Sequence, residues 1–128
     1  MNADLDCNVE LPSDSINENY NTTCPLIYAL EIIGRKWKLP IMWYLLENDF
    51  TRYNELKRKV KGITNMMLTK SLKELEEHNL ILRIQYEVIP PKVEYSLTER
   101  GKALLPTLNE LSKWGEEQLK LDKLKSNF

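Results

Sequence analysis

Residues 51–98 read TRYNELKRKVKGITNMMLTKSLKELEEHNLILRIQYEVIPPKVEYSLT, and the changes of period within them decide the fold. Thr51 is placed to cap a helix over Arg52 to Val60, with Tyr53, Leu56 and Val60 on one face. Lys61-Gly62 makes a tight turn. Thr64 then caps a further helix to about His78, whose inward stripe is Met67 or Leu68, Leu72 and Leu75. Asn79 stands where a helix end takes a left-handed residue, for which Asn is second only to Gly. Over Leu80 to Val88 and Val93 to Leu97 the period falls to two around Pro90-Pro91, which predicts a β-hairpin with a stiff tip. Two short helices joined by a Gly-containing turn and followed at once by a hairpin are the winged helix-turn-helix arrangement.

Upstream, Thr22 or Thr23 offers a cap and Pro25 suits a first helical turn; Leu26, Ala29, Leu30 and Ile33 recur at helical spacing until Gly34 supplies a stop. A second helix covers about Trp37 to Leu46, with Pro40 tolerated because it falls in the first turn. Downstream, Thr98 caps a last helical region to about Leu121, kinked or split at Pro106. The expected class is mainly α with a small β-hairpin wing. Residues 1–22 form an acidic tail too polar to order, residues 23–121 the domain, and residues 122–128 a C-terminal tail.

The chain has 128 residues, enough for one domain with a modest core. No stretch is apolar for long enough to span a bilayer and no secretory signal is visible, so the expected location is the cytoplasm. Two cysteines, Cys7 and Cys24, make no disulfide scaffold, and with the one histidine, His78, they provide too few ligands for a structural zinc site. No metal or cofactor is expected. The net charge of −1 conceals an asymmetry. Residues 1–23 hold five acids and no Lys or Arg, leaving 18 basic against 14 acidic residues elsewhere. Residues 52–102 carry the excess, with 11 basic and 7 acidic. Local charge sets the field that a phosphate backbone would meet.

The helix from Thr64 presents Thr64, Asn65, Met66, Thr69, Lys70 and Lys73 outward. Short polar groups reach base edges, an amide pairs bidentately with adenine, and lysines neutralise phosphates. The same mixture also suits an ordinary solvated face; its position between turn and hairpin favours DNA. Lys57 and Lys61, in a run with Arg58 and Lys59, are placed to flank the groove. Arg83 and Lys92 are the hairpin cations available to phosphate or the minor groove. Arg52, at a helix start, reads either as a phosphate contact or as a surface ion pair.

These residues lie within a longer ordered set: Cys24-Pro25-Leu26, Gly34-Arg35-Lys36-Trp37, Arg52-Tyr53-Asn54-Glu55-Leu56, Gly62-Ile63-Thr64, Met67-Leu68-Thr69, Leu72 to Glu76, Pro91 to Gly101, and Trp114-Gly115. In this the chain resembles the HxlR-type family of winged-helix transcriptional regulators, relatives of the MarR group, over about residues 24–116. The resemblance implies a DNA-binding homodimer in a bacterial cytoplasm, on the nucleoid when bound. Two positions depart from the family pattern: Ile33-Gly34-Arg35 replaces a pair of glycines, and Asn79 replaces a glycine after the recognition helix. Asn65 stands at a variable position.

Cys24 falls at the start of the first helix, where unpaired N–H groups favour a thiolate, and Arg35, Lys36 and Lys38 are the nearest cations in sequence. The resemblance implies a sensor of oxidants, quinones or aldehydes at this place; a small buried side chain is the equal alternative. Such a sensor would couple to Cys7, to the partner's Cys24, or to a small thiol or electrophile. Leu104, Leu108, Leu111, Gly115 and Leu119 form a stripe on the last helix with Trp114 beside it. That stripe, with Leu26 and Leu30 of the first helix, is more apolar surface than one small core uses, and it predicts a homodimer. The functional expectation is a regulator, repressor or activator, of a two-fold double-stranded DNA operator, open to control through Cys24 or by a small-molecule inducer. A winged-helix module that binds protein instead is the alternative. No catalytic constellation is visible, so an enzyme is not expected.

Overall fold

The computed structural model describes residues 24–126. In chain order it contains α1 (Pro25–Ile33), α2 (Lys38–Glu47), β1 (Thr51–Arg52), α3 (Tyr53–Lys59), α4 (Asn65–Glu77), β2 (Ile81–Tyr86), β3 (Lys92–Leu97), α5 (Glu99–Lys102) and α6 (Leu105–Ser126). The acidic tail, Cys7 and the expected Thr22 or Thr23 cap lie outside the described residues.

The ends of α4 are set by local chemistry. The Thr64 hydroxyl accepts from the Met67 N–H at 3.1 Å, and Gly62 takes φ +89° in the turn before it. At the other end Asn79 has φ +58°, the Leu80 N–H donates to the Leu75 carbonyl at 2.9 Å, and the Asn79 N–H donates to that of Glu76 at 3.0 Å. This pair of bonds closes a helix on a left-handed residue. Thr98 and Arg100 then hold the exit, donating to the carbonyls of Asn79 and His78 at 2.6 and 2.9 Å.

The hairpin pairs antiparallel from Ile81 opposite Leu97 to Tyr86 opposite Lys92. It is joined by a third strand, in the order β1-β3-β2, with Thr51 opposite Tyr95 and Arg52 opposite Glu94. Thr51 is therefore no helix cap. It is buried in the sheet, its hydroxyl donating to the Asn48 carbonyl at 3.0 Å, and Arg52 occupies the cap position of α3. A two-residue strand has no period of its own and exists only through its pairing with β3.

Ile41, Met42 and Leu45 of α2, Leu56 of α3, Leu68, Leu72 and Leu75 of α4, and Ile81, Tyr95 and Leu97 of the sheet form one continuous core. The fold is a winged helix: mostly helical, with a small three-stranded antiparallel sheet. Gly34 ends α1 in a right-handed conformation, φ −77°. Glycine is needed there because a Cβ would collide with the Leu30 carbonyl. The last helical region divides at Ala103-Leu104 rather than at Pro106, which sits harmlessly in the first turn of α6, and α6 continues past Leu121 to Ser126. Leu108 is buried in its own chain at 5 % exposure, which removes it from the expected dimer stripe.

Candidate nucleic-acid interface

On α4, Thr64, Asn65, Met66, Thr69, Lys70 and Lys73 are all exposed, Met66 at 78 %. The first turn of this face is braced from α3. The Tyr53 hydroxyl lies 3.1 Å from the Asn65 carbonyl, 3.3 Å from Asn65 Oδ1 and 3.1 Å from Thr69 Oγ1. One phenol thus ties the Asn65 backbone and side-chain oxygens and the Thr69 hydroxyl together at the start of α4. Tyr53 had the sequence signature of a core position. Its hydroxyl was the one signal that it does more than pack.

Residues at i, i+3, i+4 and i+7 of a helix share a row. Thr69, Leu72, Lys73 and Glu76 form one such row, and with Tyr53, Arg83 and Tyr95 they line a cleft of about 320 Å³ between α4 and the wing. Arg83 and Lys73 are thus brought to the same wall as Thr69. Arg52 and Lys92 meet in a second cleft, of about 230 Å³, with Tyr53, Asn54, Pro91 and Val93. Lys92 is engaged within the wing, 3.3 Å from Glu94 and 4.9 Å from the centre of the Tyr86 ring. The hydrogen bond to Glu94 also pushes the Tyr86 phenol above its ordinary value. Lys61 stays exposed in the turn, whereas Lys57 is half-buried on α3 and lines neither cleft.

Lys38 is not a cation for Cys24. It is turned inward, donating to the Ile32 carbonyl at 2.9 Å and pairing with Glu74 at 3.1 Å. Burial raises the Glu74 carboxyl, but the hydrogen bond and charge of Lys38, with Arg35 and Lys70, outweigh it and hold the group below its ordinary range. Cys24 occupies the N-cap position of α1 without a side-chain capping bond. It is 5 % exposed and disulfide-bonded. The described residues contain no group of three His, Cys, Asp or Glu able to hold a metal, and no helix long and apolar enough to cross a membrane.

A winged helix whose α4 turns a polar face with Lys70 and Lys73 to solvent, braced by Tyr53, has the architecture of helix-turn-helix transcriptional regulators. The chain belongs to the HxlR-like helix-turn-helix family, whose model matches residues 32–123. It is 51 % identical over 94 residues to the MalR regulatory protein of Fusobacterium mortiferum, covering 73 % of this chain and 89 % of that one. Among solved structures, the oxidised form of the redox regulator HypR is similar at 41 % identity and TM-score 0.70, over 73 % of this chain and 96 % of the other. The reduced form of the transcriptional regulator YodB from B. subtilis is similar at 31 % identity and TM-score 0.65, over 75 % and 94 %.

Proposed function

We propose that the protein binds a two-fold DNA operator as a homodimer, with α4 of each protomer in a major groove. Asn65, Thr69 and Lys70 face that groove, Asn65 and Thr69 towards base edges and Lys70 towards its phosphate wall, with Thr64 and Met66 beside them. Lys73, Arg52, Lys61, Arg83 and Lys92 meet phosphate, with Lys57 behind them. The observation that carries this reading is the Tyr53 brace, because a face held in one geometry before binding loses less entropy on docking. Asn65→Ala should cost about 1–3 kcal/mol of operator affinity and relax preference at one base position. Tyr53→Phe, which keeps the packing, should cost about 0.5–1.5 kcal/mol. Binding measured against a set of single-base operator variants checks both. An unchanged preference profile in Asn65→Ala would remove Asn65 from the reading face.

A second strand of the proposal is thiol control, favoured by the disulfide at Cys24 and by the redox regulator among similar structures. Two thiols lose two protons and two electrons to an oxidant such as diamide, and the resulting bond fixes the start of α1. Operator affinity should differ between protein reduced with dithiothreitol and protein reoxidised with diamide. Cys24→Ser should show no difference. Equal responses in both proteins would leave Cys24 as a packing residue.

A further inference from the structure

We propose that the loop joining α1 to α2 is a second backbone grip, in which Arg35 and Lys36, with Lys70 of α4, hold phosphate on the strand across the groove from the wing. This rests on the placement of α4 in the major groove and extends its footprint to residues outside the helix-turn-helix and the wing.

The row Met67, Lys70, Ser71 and Glu74 lines a cleft of about 390 Å³ with Arg35, Lys36 and Trp37. It is offset by two residues from the row that faces the wing, which puts the two clefts about 200° apart around the helix. α4 is therefore flanked on one side by Arg83 and Tyr53, and on the other by the Arg35–Trp37 loop. A helix seated in a groove about 12 Å wide has a phosphate wall on each side.

The loop is anchored beside the helix-turn-helix turn. The Trp37 indole lies 3.8 Å from where a Cβ on Gly62 would stand. The Lys36 ammonium sits 4.6 Å from the centre of that indole ring, and Arg35 is exposed beside it. Arg35, Lys36 and Lys70 form no ion pair among the described residues. The only carboxylate lining the cleft is Glu74, already bonded to the buried Lys38 at 3.1 Å. Three cations thus face solvent over a carboxylate that is neutralised from beneath. An anion with several oxygens, approached by a planar guanidinium fork and two ammoniums, is what such a set holds. Beside the reading face of α4, that anion is a phosphodiester.

The test compares wild type with the Arg35→Ala/Lys36→Ala double variant on an operator fragment and on an unrelated duplex of equal length, across a salt series. Both affinities should fall by the same factor, on the order of tenfold or more at 0.15 M salt, and the slope of log K against log salt should flatten by about two. The ratio of operator to unrelated binding should stay constant. Neutral methylphosphonate linkages across the groove from the wing should weaken wild type and add nothing to the loss in the variant. An unaltered salt slope, or losses from variant and neutral linkages that simply add, would overturn the grip while Asn65→Ala still reports on α4. Failure of wild type to bind any duplex would overturn both the grip and the reading beneath it.

Discussion

Glu74→Ala is expected to lower the unfolding free energy by about 3 kcal/mol, more than Lys38→Met, although the two residues share one ion pair. The asymmetry follows from burial. The Lys38 side chain is 3 % exposed and that of Glu74 is 25 % exposed. Removing the carboxylate strands a buried ammonium on the Ile32 carbonyl. Removing the lysine leaves a carboxylate that still reaches water and the charges of Arg35 and Lys70. Replacing both with apolar side chains should recover most of the loss, since a buried pair does little better than a well-packed apolar contact. The pH dependence has a defined sign. Because the folded-state carboxyl is held below its ordinary value of 4.5, its contribution is present above that value and is lost as pH falls through the folded-state value. The gap between wild type and Glu74→Ala should therefore narrow in acid. Urea melts over that range measure it, and a larger loss in Lys38→Met would show that the charge is not trapped where the geometry puts it.

The second large effect is expected from Leu111→Asp combined with Trp114→Ala, which should convert the proposed dimer to a monomer and weaken operator binding by roughly 10²–10⁴-fold. Leu111 and Trp114 are 50 % and 61 % exposed on α6, and Leu26 and Leu30 of α1 are likewise exposed. A Cβ on Gly115 would meet nothing within 4 Å among the described residues. Under the proposed dimer that space takes a helix of the second copy, and Gly115→Ala should leave the monomer fold unchanged while weakening self-association. Each protomer would still read its half-site. What disappears is the second contact, held about 34–36 Å along the duplex by the shared helices. Light scattering at micromolar concentration reads the assembly and operator titration reads the affinity. A double variant that stays dimeric would move the interface elsewhere. Leu108 is unsuitable for this test because its burial within one chain would make its replacement a folding mutation.

The stretch from Gly62 to Leu97 was legible because each decision in it is made by neighbours in sequence. A positive φ at Gly62, a hydroxyl at Thr64 three residues before the N–H that it caps, a left-handed Asn79 and a period of two in the hairpin act over a few bonds. They hold whatever surrounds them. The same locality made Lys70, Lys73 and Asn65 readable as an outward face, since a helix repeats its surface every few residues.

Local chemistry alone thus settles the helices, turn and hairpin between Gly62 and Leu97, their order and the helix face that looks outward. Tertiary structure decided what depends on partners distant along the chain. Thr51 became a strand because β3 lies beside it, and Leu108 left the free stripe because its own domain covers it. Lys38 went inward because Ile32 and Glu74 converge on its ammonium, and Tyr53 became a brace because the first turn of α4 passes its hydroxyl. Lysine and tyrosine each have an apolar stem and a polar tip, and composition cannot say which end a fold will use. Only the approach of a second element supplies the carbonyl, carboxylate or amide that settles it.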